Sequence, residues 1–150
     1  MKLVIQRVSR ATVTSDGVVT GDIETGLVVL IGVVDGDTEK QAEYLAGKTA
    51  RLRIFTDDDD KLNLSVTDVG GKVIVVSNFT LAGDCKKGNR PSFDKAAKQP
   101  VSEDLYLKYV EYLKALGVEV YTGIFGAHME IDMNAYGPIT IVMDSTEMGH

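Results

Sequence analysis

The sequence predicts a single α/β domain in which strands outnumber helices. Short segments that alternate in hydropathy or are continuously apolar outnumber the segments with helical spacing, and several of these strands follow one another closely. The composition, 44% apolar and 25% charged residues, is that of an ordinary globular protein. A chain of 150 residues buries roughly 68–70% of its unfolded surface. We therefore expect one domain over residues 1–150, with mixed or largely antiparallel sheets and two main helices.

The first part of the chain has the pattern of consecutive strands. Residues 2–9 and 11–14 alternate between apolar and polar side chains, and a turn at residues 15–17 leads to a further strand at residues 18–19. Residues 27–34 form an almost continuous apolar run, which is typical of a strand buried on both faces. The short turn predicts an antiparallel hairpin at the start of the chain.

Two segments have the spacing and the end signals of helices. Residues 38–41, Thr-Glu-Lys-Gln, form a capping box that predicts the start of the first helix. Ser102 is predicted to cap the second helix, and Gly117 is predicted to end it. The faces that we expect to be buried carry Ala42, Leu45, Ala46 and Thr49 in the first helix and Leu105, Tyr106, Tyr109, Val110, Leu113 and Leu116 in the second.

The remaining strands are predicted from shorter apolar segments. An acidic run at residues 57–60 lacks the spacing of a calcium-binding loop, and we interpret it as a solvated turn between two of these strands. The predicted strands cover residues 52–56, 73–78, 118–122, 130–133 and 139–143.

Composition and charge argue against several classes of protein. The formal charge is −6, whereas proteins that coat nucleic acid nonspecifically carry a dominant basic face. The longest apolar run is far shorter than the ~20 residues that span a bilayer, and the charged N-terminal segment does not resemble a signal peptide. The single cysteine, Cys85, excludes an internal disulfide and indicates a cytoplasmic protein. Because His128 and His150 are the only histidines, we predict neither a zinc site nor any other metal or cofactor.

Several reactive side chains have simpler interpretations. Cys85 has no histidine near it in sequence, so an incidental loop thiol is favoured over a nucleophile. His128 is interpreted as a structural or rim residue. Tyr106 and Tyr109 fall on the buried helix face, which favours core packing over stacking against bases.

Two segments point more directly to chemistry. The strand at residues 73–78 runs into Ser77-Asn78-Phe79-Thr80-Leu81. Backbone N–H groups just beyond a strand end can hold a developing oxyanion, although a plain strand terminus has the same sequence pattern. The second segment is Tyr-Gly-Pro-Ile-Thr at residues 136–140, a pattern that usually makes a simple hairpin turn.

The densest basic stretch of this acidic chain lies at residues 86–93 and continues to Lys95 and Lys98. Such a stretch is often only a solvated face. The alternative is a contact with phosphate groups, for which Arg90 is the best bidentate donor. An overall acidic protein is compatible with a local patch that meets only a few phosphates.

Eight short motifs, in a characteristic order and spacing, extend over nearly the whole chain. Through these motifs, the sequence resembles the D-aminoacyl-tRNA deacylase family. Two positions depart from the family pattern: Asn78 stands where Gln is usual in Ser-Gln-x-Thr-Leu, and Ala135 stands where Asn is usual in Asn-x-Gly-Pro-x-Thr. The motifs cover residues 6–8, 11–13, 26–30, 52–55, 63–66, 87–93, 122–127 and 137–140.

The resemblance implies a homodimeric hydrolase without a cofactor. Its substrate is the ester that joins a D-amino acid, or glycine mischarged on tRNA-Ala, to the terminal adenosine of tRNA. The backbone N–H groups of Phe79 and Thr80 are implied to form the oxyanion hole, and Ser77 is implied to position the adenosine. Water then attacks, and the 2′-hydroxyl of the terminal ribose assists the proton transfer.

The resemblance also implies a filter for chirality. In the family the Gly137–Pro138 bond is cis, and the dipeptide reaches into the pocket of the partner subunit, where its carbonyl groups leave no room for an L side chain. The other roles implied are pocket residues at Asn78 and Met129, an orienting arginine at Arg7, and phosphate contacts to the acceptor end of tRNA at Lys86, Lys87 and Arg90.

Three alternatives stay open from the sequence. The Thr80 hydroxyl is a possible covalent nucleophile, although no histidine or carboxylate lies near it in sequence to activate it. Ala135 motivates a related editing enzyme that removes a small L-amino acid from tRNA. Asn78 motivates a catalytically silent dimer that only binds tRNA.

Overall fold

A fourteen-residue strand, β1 (Lys2–Ser15), organises the fold in the computed structural model, which describes residues 1–149. β1 connects to β2 (Val18–Ile23) through Asp16 and Gly17, whose φ angles are 46° and 82°. These left-handed conformations suit the tight turn of a hairpin, so the turn predicted there is confirmed. The two strands predicted over residues 2–9 and 11–14 are one strand, because β1 pairs along both halves with the same C-terminal strand.

The main sheet is mixed, as predicted. β3 (Gly26–Gly32) is antiparallel to β1 and parallel to β6 (Lys72–Ser77), and β6 is parallel to β7 (Glu119–Thr122). The strand order is β2-β1-β3-β6-β7, and the last strand, β8, lies along β1. The remaining strands, β4 (Phe55–Thr56) and β5 (Leu62–Leu64), form a separate small sheet, so the strand expected at residues 52–56 is shorter than predicted.

β8 (Met129–Asp144) is a single strand where two were predicted, at residues 130–133 and 139–143. Its pairing with β1 is interrupted by a wide bulge: Gln6 lies opposite Thr140, and Val8 lies opposite Ala135. Between these two pairs, β1 advances by two residues and β8 by five. The additional residues of β8 therefore protrude from the pairing with β1. Gly137 and Pro138 lie in this bulge, so the strand continues through a dipeptide that usually makes a turn.

Two helices cover one face of the main sheet. α1 (Glu39–Arg51) begins with the predicted capping box, in which the Thr38 N–H donates to Gln41 Oε1 at 2.8 Å. α2 (Val101–Ala115) begins one residue before Ser102, whose side chain is buried and makes no capping bond, so that predicted cap is wrong. Within residues 1–149, no helix is both long and apolar enough to span a membrane.

The C-terminal end of α2 confirms one prediction and corrects another. Gly117 follows the helix with a φ of 85°, a conformation that glycine adopts without steric cost, as predicted. Leu116 is exposed rather than part of the buried face, because it is already the capping residue outside the last turn. The other members of both predicted faces are buried.

Apolar side chains fill both faces of the main sheet. The larger cluster lies between the sheet and the helices, where the Tyr109 hydroxyl donates to Thr49 Oγ1 at 2.8 Å and joins α2 to α1. The smaller cluster lies on strands β1, β2, β3 and β6 and is covered in part by Met129 and Ile131 of β8. Its buried members are Val8, Ala11, Val13, Ile23, Val28, Ile74 and Val76.

Candidate active site

The end of β6 leads into a short 3₁₀ segment, Phe79–Ala82. The Asn78 N–H donates to the Ile31 carbonyl at 2.8 Å, so the segment starts beside the end of β3. Gly32 is needed at that point, because a Cβ there would lie 2.9 Å from both the Asn78 carbonyl oxygen and the Leu81 Cβ. The neighbouring strand thus determines where the segment lies, and Ser77 is half-buried at its base.

The Asn78 side chain caps the 3₁₀ segment. Its Oδ1 accepts a hydrogen bond from the Thr80 N–H at 3.2 Å and another from the Thr80 hydroxyl. The Phe79 N–H stands at the first position of the segment, where no intrahelical acceptor exists. Of the two N–H groups expected in an oxyanion hole, that of Thr80 is therefore engaged by Asn78, and sequence reasoning missed this contact.

The Phe79 ring connects the 3₁₀ segment to the basic stretch. Its side chain is 58% exposed and packs edge-on against Phe93, with 5.2 Å between the ring centroids. Gly83, which follows the segment, allows this approach, because a Cβ there would lie 3.1 Å from the Phe93 ring and 3.0 Å from the Thr80 carbonyl oxygen. The position of the basic stretch is thus coupled to that of the candidate catalytic segment.

Residues 84–92, which we call the basic loop, form a closed loop with exposed cations. The N–H groups of Asp84 and Ser92 donate to each other's carbonyl oxygens at 2.8 and 2.9 Å. The Lys86 N–H donates to Asp84 Oδ1 at 2.9 Å and lowers the pKa of that carboxyl below its usual range. Lys86, Lys87 and Arg90 are exposed, and within residues 1–149 none of the three forms an ion pair. Their positive charges are available to a ligand.

Arg7 of β1 supports the bulge of β8 from below. The guanidinium is buried, at 5% exposure, although no carboxylate among residues 1–149 pairs with it. Its Nε donates to the Tyr136 carbonyl and its Nη1 to the Ile54 carbonyl, both at 3.0 Å. It also lies 4.7 Å from the centre of the Tyr136 ring, a cation–π distance. The bulge is therefore attached to β1 by the hydrogen bond and the cation–π contact of a buried, charged side chain.

Gly137 and Pro138 are exposed at the tip of the bulge, and the bond between them is cis. The φ of Gly137 is 121°, and a Cβ on this residue would lie 3.0 Å from Arg7 Nη2. Both the backbone conformation and the close approach of the arginine thus require glycine.

Gln6 holds the other end of the bulge and was not singled out from the sequence. Its Nε2 donates to the Ile139 carbonyl at 3.1 Å, and its Oε1 accepts from the Thr140 hydroxyl at 2.6 Å. Consecutive residues of a strand point to opposite faces of the sheet. Gln6 and Arg7 therefore bind the bulge by hydrogen bonds from opposite faces. The only signal for Gln6 was its place in a matching motif, which gives no role.

Met129, at the start of β8, packs against the smaller apolar cluster. Its Sδ occupies the space that a Cβ on Gly123 would need, so the chain after β7 passes directly over it. Val76 of the same cluster belongs to β6, the strand that leads to the 3₁₀ segment. Met129 therefore lies on the same side of the sheet as the smaller cluster, and its role in a substrate pocket stays a prediction.

Two groups of predicted site residues, the 3₁₀ segment with its flanks and the bulge with Arg7, are apart within one chain. The 3₁₀ segment lies against Gly32, which pairs with Lys2, whereas the bulge lies against Arg7, which pairs with Leu27. Five residues of β1 separate the two positions, about 17 Å at 3.3 Å per residue. Within residues 1–149, no three His, Cys, Asp or Glu side chains are placed to hold a metal.

Solved structures with the same architecture define the class of the fold. One, described as "c-Myc DNA Unwinding Element Binding Protein", is 36% identical, with a TM-score of 0.88 over 96% of this chain and 98% of that one. Another, described as a probable eukaryotic D-amino acid tRNA deacylase, has a TM-score of 0.80 over 95% of this chain and 97% of that one. At 17% identity, the second likeness shows the fold alone.

Sequence comparison defines the family. The D-Tyr-tRNA(Tyr) deacylase family profile matches residues 4–144. A D-aminoacyl-tRNA deacylase of Koribacter versatilis is 52% identical over 97% of both chains, and one of Bacillus velezensis is 50% identical over 98% of this chain and all of the relative. The chain belongs to the D-Tyr-tRNA(Tyr) deacylase family, and it is a hydrolase that acts on an ester bond. The family predicted from the motifs is confirmed.

Proposed function

We propose that this hydrolase cleaves D-aminoacyl-tRNA to the free D-amino acid and tRNA, and that it also removes glycine mischarged on tRNA-Ala. The observation that carries the proposal is the 3₁₀ segment beyond β6, whose first N–H groups lie at an exposed strand end beside Ser77. An aminoacyl ester is labile, so main-chain donors that stabilise the oxyanion can suffice without a strong nucleophile.

The Phe79 N–H is the primary donor to the oxyanion in this mechanism. One such donor is worth about 3–4 kcal/mol of transition-state stabilisation. The Thr80 N–H joins it when the substrate oxygen displaces Asn78 Oδ1, a neutral acceptor that keeps this donor oriented until then. Water attacks the carbonyl carbon, the 2′-hydroxyl of the terminal ribose assists the proton transfer, and Ser77 positions the adenosine.

The contacts of Thr80 argue against its hydroxyl as a covalent nucleophile. That hydroxyl donates its proton to the Asn78 side-chain amide oxygen, which is not a base that could remove it. A threonine needs an adjacent general base to attack an ester. The hydroxyl therefore helps to fix the Asn78 side chain, and the backbone of the segment performs the chemistry.

Selection against L-amino acids is assigned to the bulge of a second subunit. Gln6 and Arg7 hold Gly137 and Pro138 at an exposed tip, about 17 Å along β1 from the 3₁₀ segment of the same chain. A homodimer brings the tip of one subunit to the segment of the other. Exposed apolar side chains on β8, Tyr136 at 58% and Val142 at 72%, suit such an interface. Asn78 and Met129 then complete the pocket wall.

The basic loop is assigned to the acceptor end of tRNA. Lys86, Lys87 and Arg90 are exposed and form no ion pair within residues 1–149. Phe93, the residue after the basic loop, packs against Phe79 and so holds the loop beside the 3₁₀ segment. A few phosphate contacts give a modest, salt-sensitive affinity.

The cytoplasm, where charged tRNA is used, is the expected location of the protein.

A comparison of four esters tests the proposal. The protein is incubated with D-tyrosyl-, L-tyrosyl-, glycyl- and L-alanyl-tRNA, and the loss of each ester is followed. We expect hydrolysis of the D-tyrosyl and glycyl esters alone. Cleavage of L-alanyl-tRNA would instead indicate an editing enzyme for small L-amino acids, the activity that Ala135 motivates. Binding of tRNA without any hydrolysis would indicate a silent binder.

The structure favours the chiral enzyme over the L-specific alternative at Ala135. That residue pairs with Val8 in the ladder beside the bulge. Gln6 and Arg7 hold both ends of the bulge without a side-chain amide at position 135. The substitution therefore leaves the proposed filter in place.

A further inference from the structure

A cleft of about 410 Å³ opens at the far end of the 3₁₀ segment. Its walls come from two parts of the chain that are distant in sequence: Lys2 of β1 on one side, and the start of the basic loop with Lys95 on the other. We refer to it as the lysine cleft. The complete lining is Lys2, Ala82, Gly83, Asp84, Cys85, Lys86 and Lys95.

We propose that the lysine cleft binds a phosphodiester group of the single-stranded acceptor end of tRNA, with Lys2 and Lys95 as phosphate ligands in addition to Lys86. This inference rests on the proposed function, and it defines where the acceptor end of tRNA runs across the protein surface. Ammonium groups on both walls suit a phosphodiester, which presents oxygen atoms on two sides.

The position of the cleft fits a nucleotide next to the terminal adenosine. Ala82 lines the cleft and ends the segment that begins at Phe79. Three residues of 3₁₀ helix separate the cleft from the proposed oxyanion donor by about 6 Å. Lys2 is fixed in register on its wall, because it pairs with Gly32 on one side and with Asp144 on the other.

The charges of the cleft are only loosely compensated. Lys2 Nζ lies 3.6 Å from Asp144, and Lys95 Nζ lies 3.7 Å from Asp84, while the two lysines are 41% and 66% exposed. Both separations exceed an ordinary hydrogen-bond distance, so both ammonium groups can turn to a phosphate. Lys86 forms no ion pair within residues 1–149. Asp84 stays ionised, because the Lys86 N–H lowers its pKa, and it keeps Lys95 at the cleft.

A binding titration tests the cleft independently of catalysis. The probe is a fluorescent, uncharged acceptor-stem microhelix with a single-stranded 3′ end, and its anisotropy is measured at several salt concentrations. We expect Lys2→Gln and Lys95→Gln each to raise Kd five- to tenfold at low salt and to lower the salt slope by about 0.7. Lys2→Arg retains the charge and should bind as the unmodified protein does. Lys61→Gln, in the turn between β4 and β5, is the matched control for loss of one charge.

Two results of this titration would overturn the proposal. One is a Lys2→Gln protein that binds like Lys61→Gln. The other is a Lys2→Arg protein that binds as weakly as Lys2→Gln, which would assign Lys2 a structural role. Thermal unfolding of each variant verifies that the fold is retained.

A second comparison separates phosphate binding from ester chemistry. D-aminoacyl-tRNA and D-aminoacyl-adenosine carry the same ester, but only the tRNA has phosphates. Lys2→Gln and Lys95→Gln should lower kcat/KM for the tRNA substrate five- to tenfold and leave the adenosine substrate unchanged. An equal loss on both substrates would contradict the proposal. If Lys2→Gln and Lys95→Gln weaken microhelix binding as expected but the unmodified protein hydrolyses neither ester, the proposed function fails and the lysine cleft is still supported.

Discussion

The 3₁₀ segment and the bulge of β8 are both irregular stretches beside regular strands, but they are held in different ways. The segment lies against main chain, where Gly32 lets β3 approach the Asn78 carbonyl closely. The bulge is held by the side chains of Gln6 and Arg7. In the proposed mechanism, a close main-chain contact positions the donors for catalysis, whereas side-chain hydrogen bonds shape the tip to which substrate selection is assigned. Damage to the first should therefore abolish hydrolysis, and damage to the second should relax selectivity.

The largest effect is expected from Gly32→Val. A side chain here collides with the Asn78 carbonyl oxygen and with Leu81, so the 3₁₀ segment must move. Displacement of an oxyanion donor costs about 100- to 1000-fold in kcat. Single-turnover hydrolysis of D-tyrosyl-tRNA measures this loss. Gly47→Ala is the control, because its added Cβ meets only the flexible end of Arg51, and it should retain full activity.

Arg7→Lys should mainly affect selectivity. Lysine cannot reproduce the fork that binds the Tyr136 and Ile54 carbonyls, so the bulge loosens. We expect hydrolysis of L-tyrosyl-tRNA to rise about tenfold while hydrolysis of D-tyrosyl-tRNA stays within about threefold, a change of about 1.4 kcal/mol in discrimination. Equal losses on both esters would contradict the assignment of Arg7 to the bulge.

Gln6→Glu should have a smaller effect in the same direction. Glutamate still accepts from the Thr140 hydroxyl but cannot donate to the Ile139 carbonyl. One neutral hydrogen bond contributes about 0.5–1.5 kcal/mol, so we expect the ratio of L to D hydrolysis to rise only a few-fold. A ratio unchanged from that of the unmodified protein would remove Gln6 from the support of the bulge.

Thr80→Ala should have the smallest effect on activity. The backbone N–H remains, and only the hydroxyl that donates to Asn78 is lost. The kcat for D-tyrosyl-tRNA is expected to stay within about fivefold of the unmodified value, since the lost hydrogen bond is worth about 1 kcal/mol at most for positioning. A folded Thr80→Ala protein with almost no activity would favour the covalent route.

Local features of this fold could be predicted from the sequence, and distant pairings could not. The turn at Asp16 and Gly17, the capping box of α1 and the glycine after α2 each depend on neighbouring residues. Gly137 and Pro138 resemble a turn, but the strand continues through them because β1, more than a hundred residues earlier, pairs on both sides of the bulge. The predicted cap at Ser102 failed because the helix begins before it, at Val101.

In the candidate site too, local features could be predicted and contacts between distant residues could not. Ser77, Asn78, Phe79 and Thr80 are consecutive, so their common location could be predicted, whereas the capping contact of Asn78 to Thr80 required the structure. Gln6 and Arg7 reach the bulge only through the register of β1 with β8. Periodicity carries no information about that register, and Gln6 therefore had no predicted role.

The most direct test of the account mixes two variants in the proposed homodimer. Arg7→Lys protomers keep an intact 3₁₀ segment with a loosened bulge, and an excess of Gly32→Val protomers supplies intact bulges without active segments. After co-refolding, native mass spectrometry, which resolves the mass difference between the two variants, verifies that mixed dimers form, and hydrolysis of L- and D-tyrosyl-tRNA is measured. If the bulge of one subunit guards the segment of the other, the excess restores discrimination against the L ester to that of the unmodified protein. If the ratio stays that of Arg7→Lys alone, the filter does not act across subunits, and the central claim is contradicted.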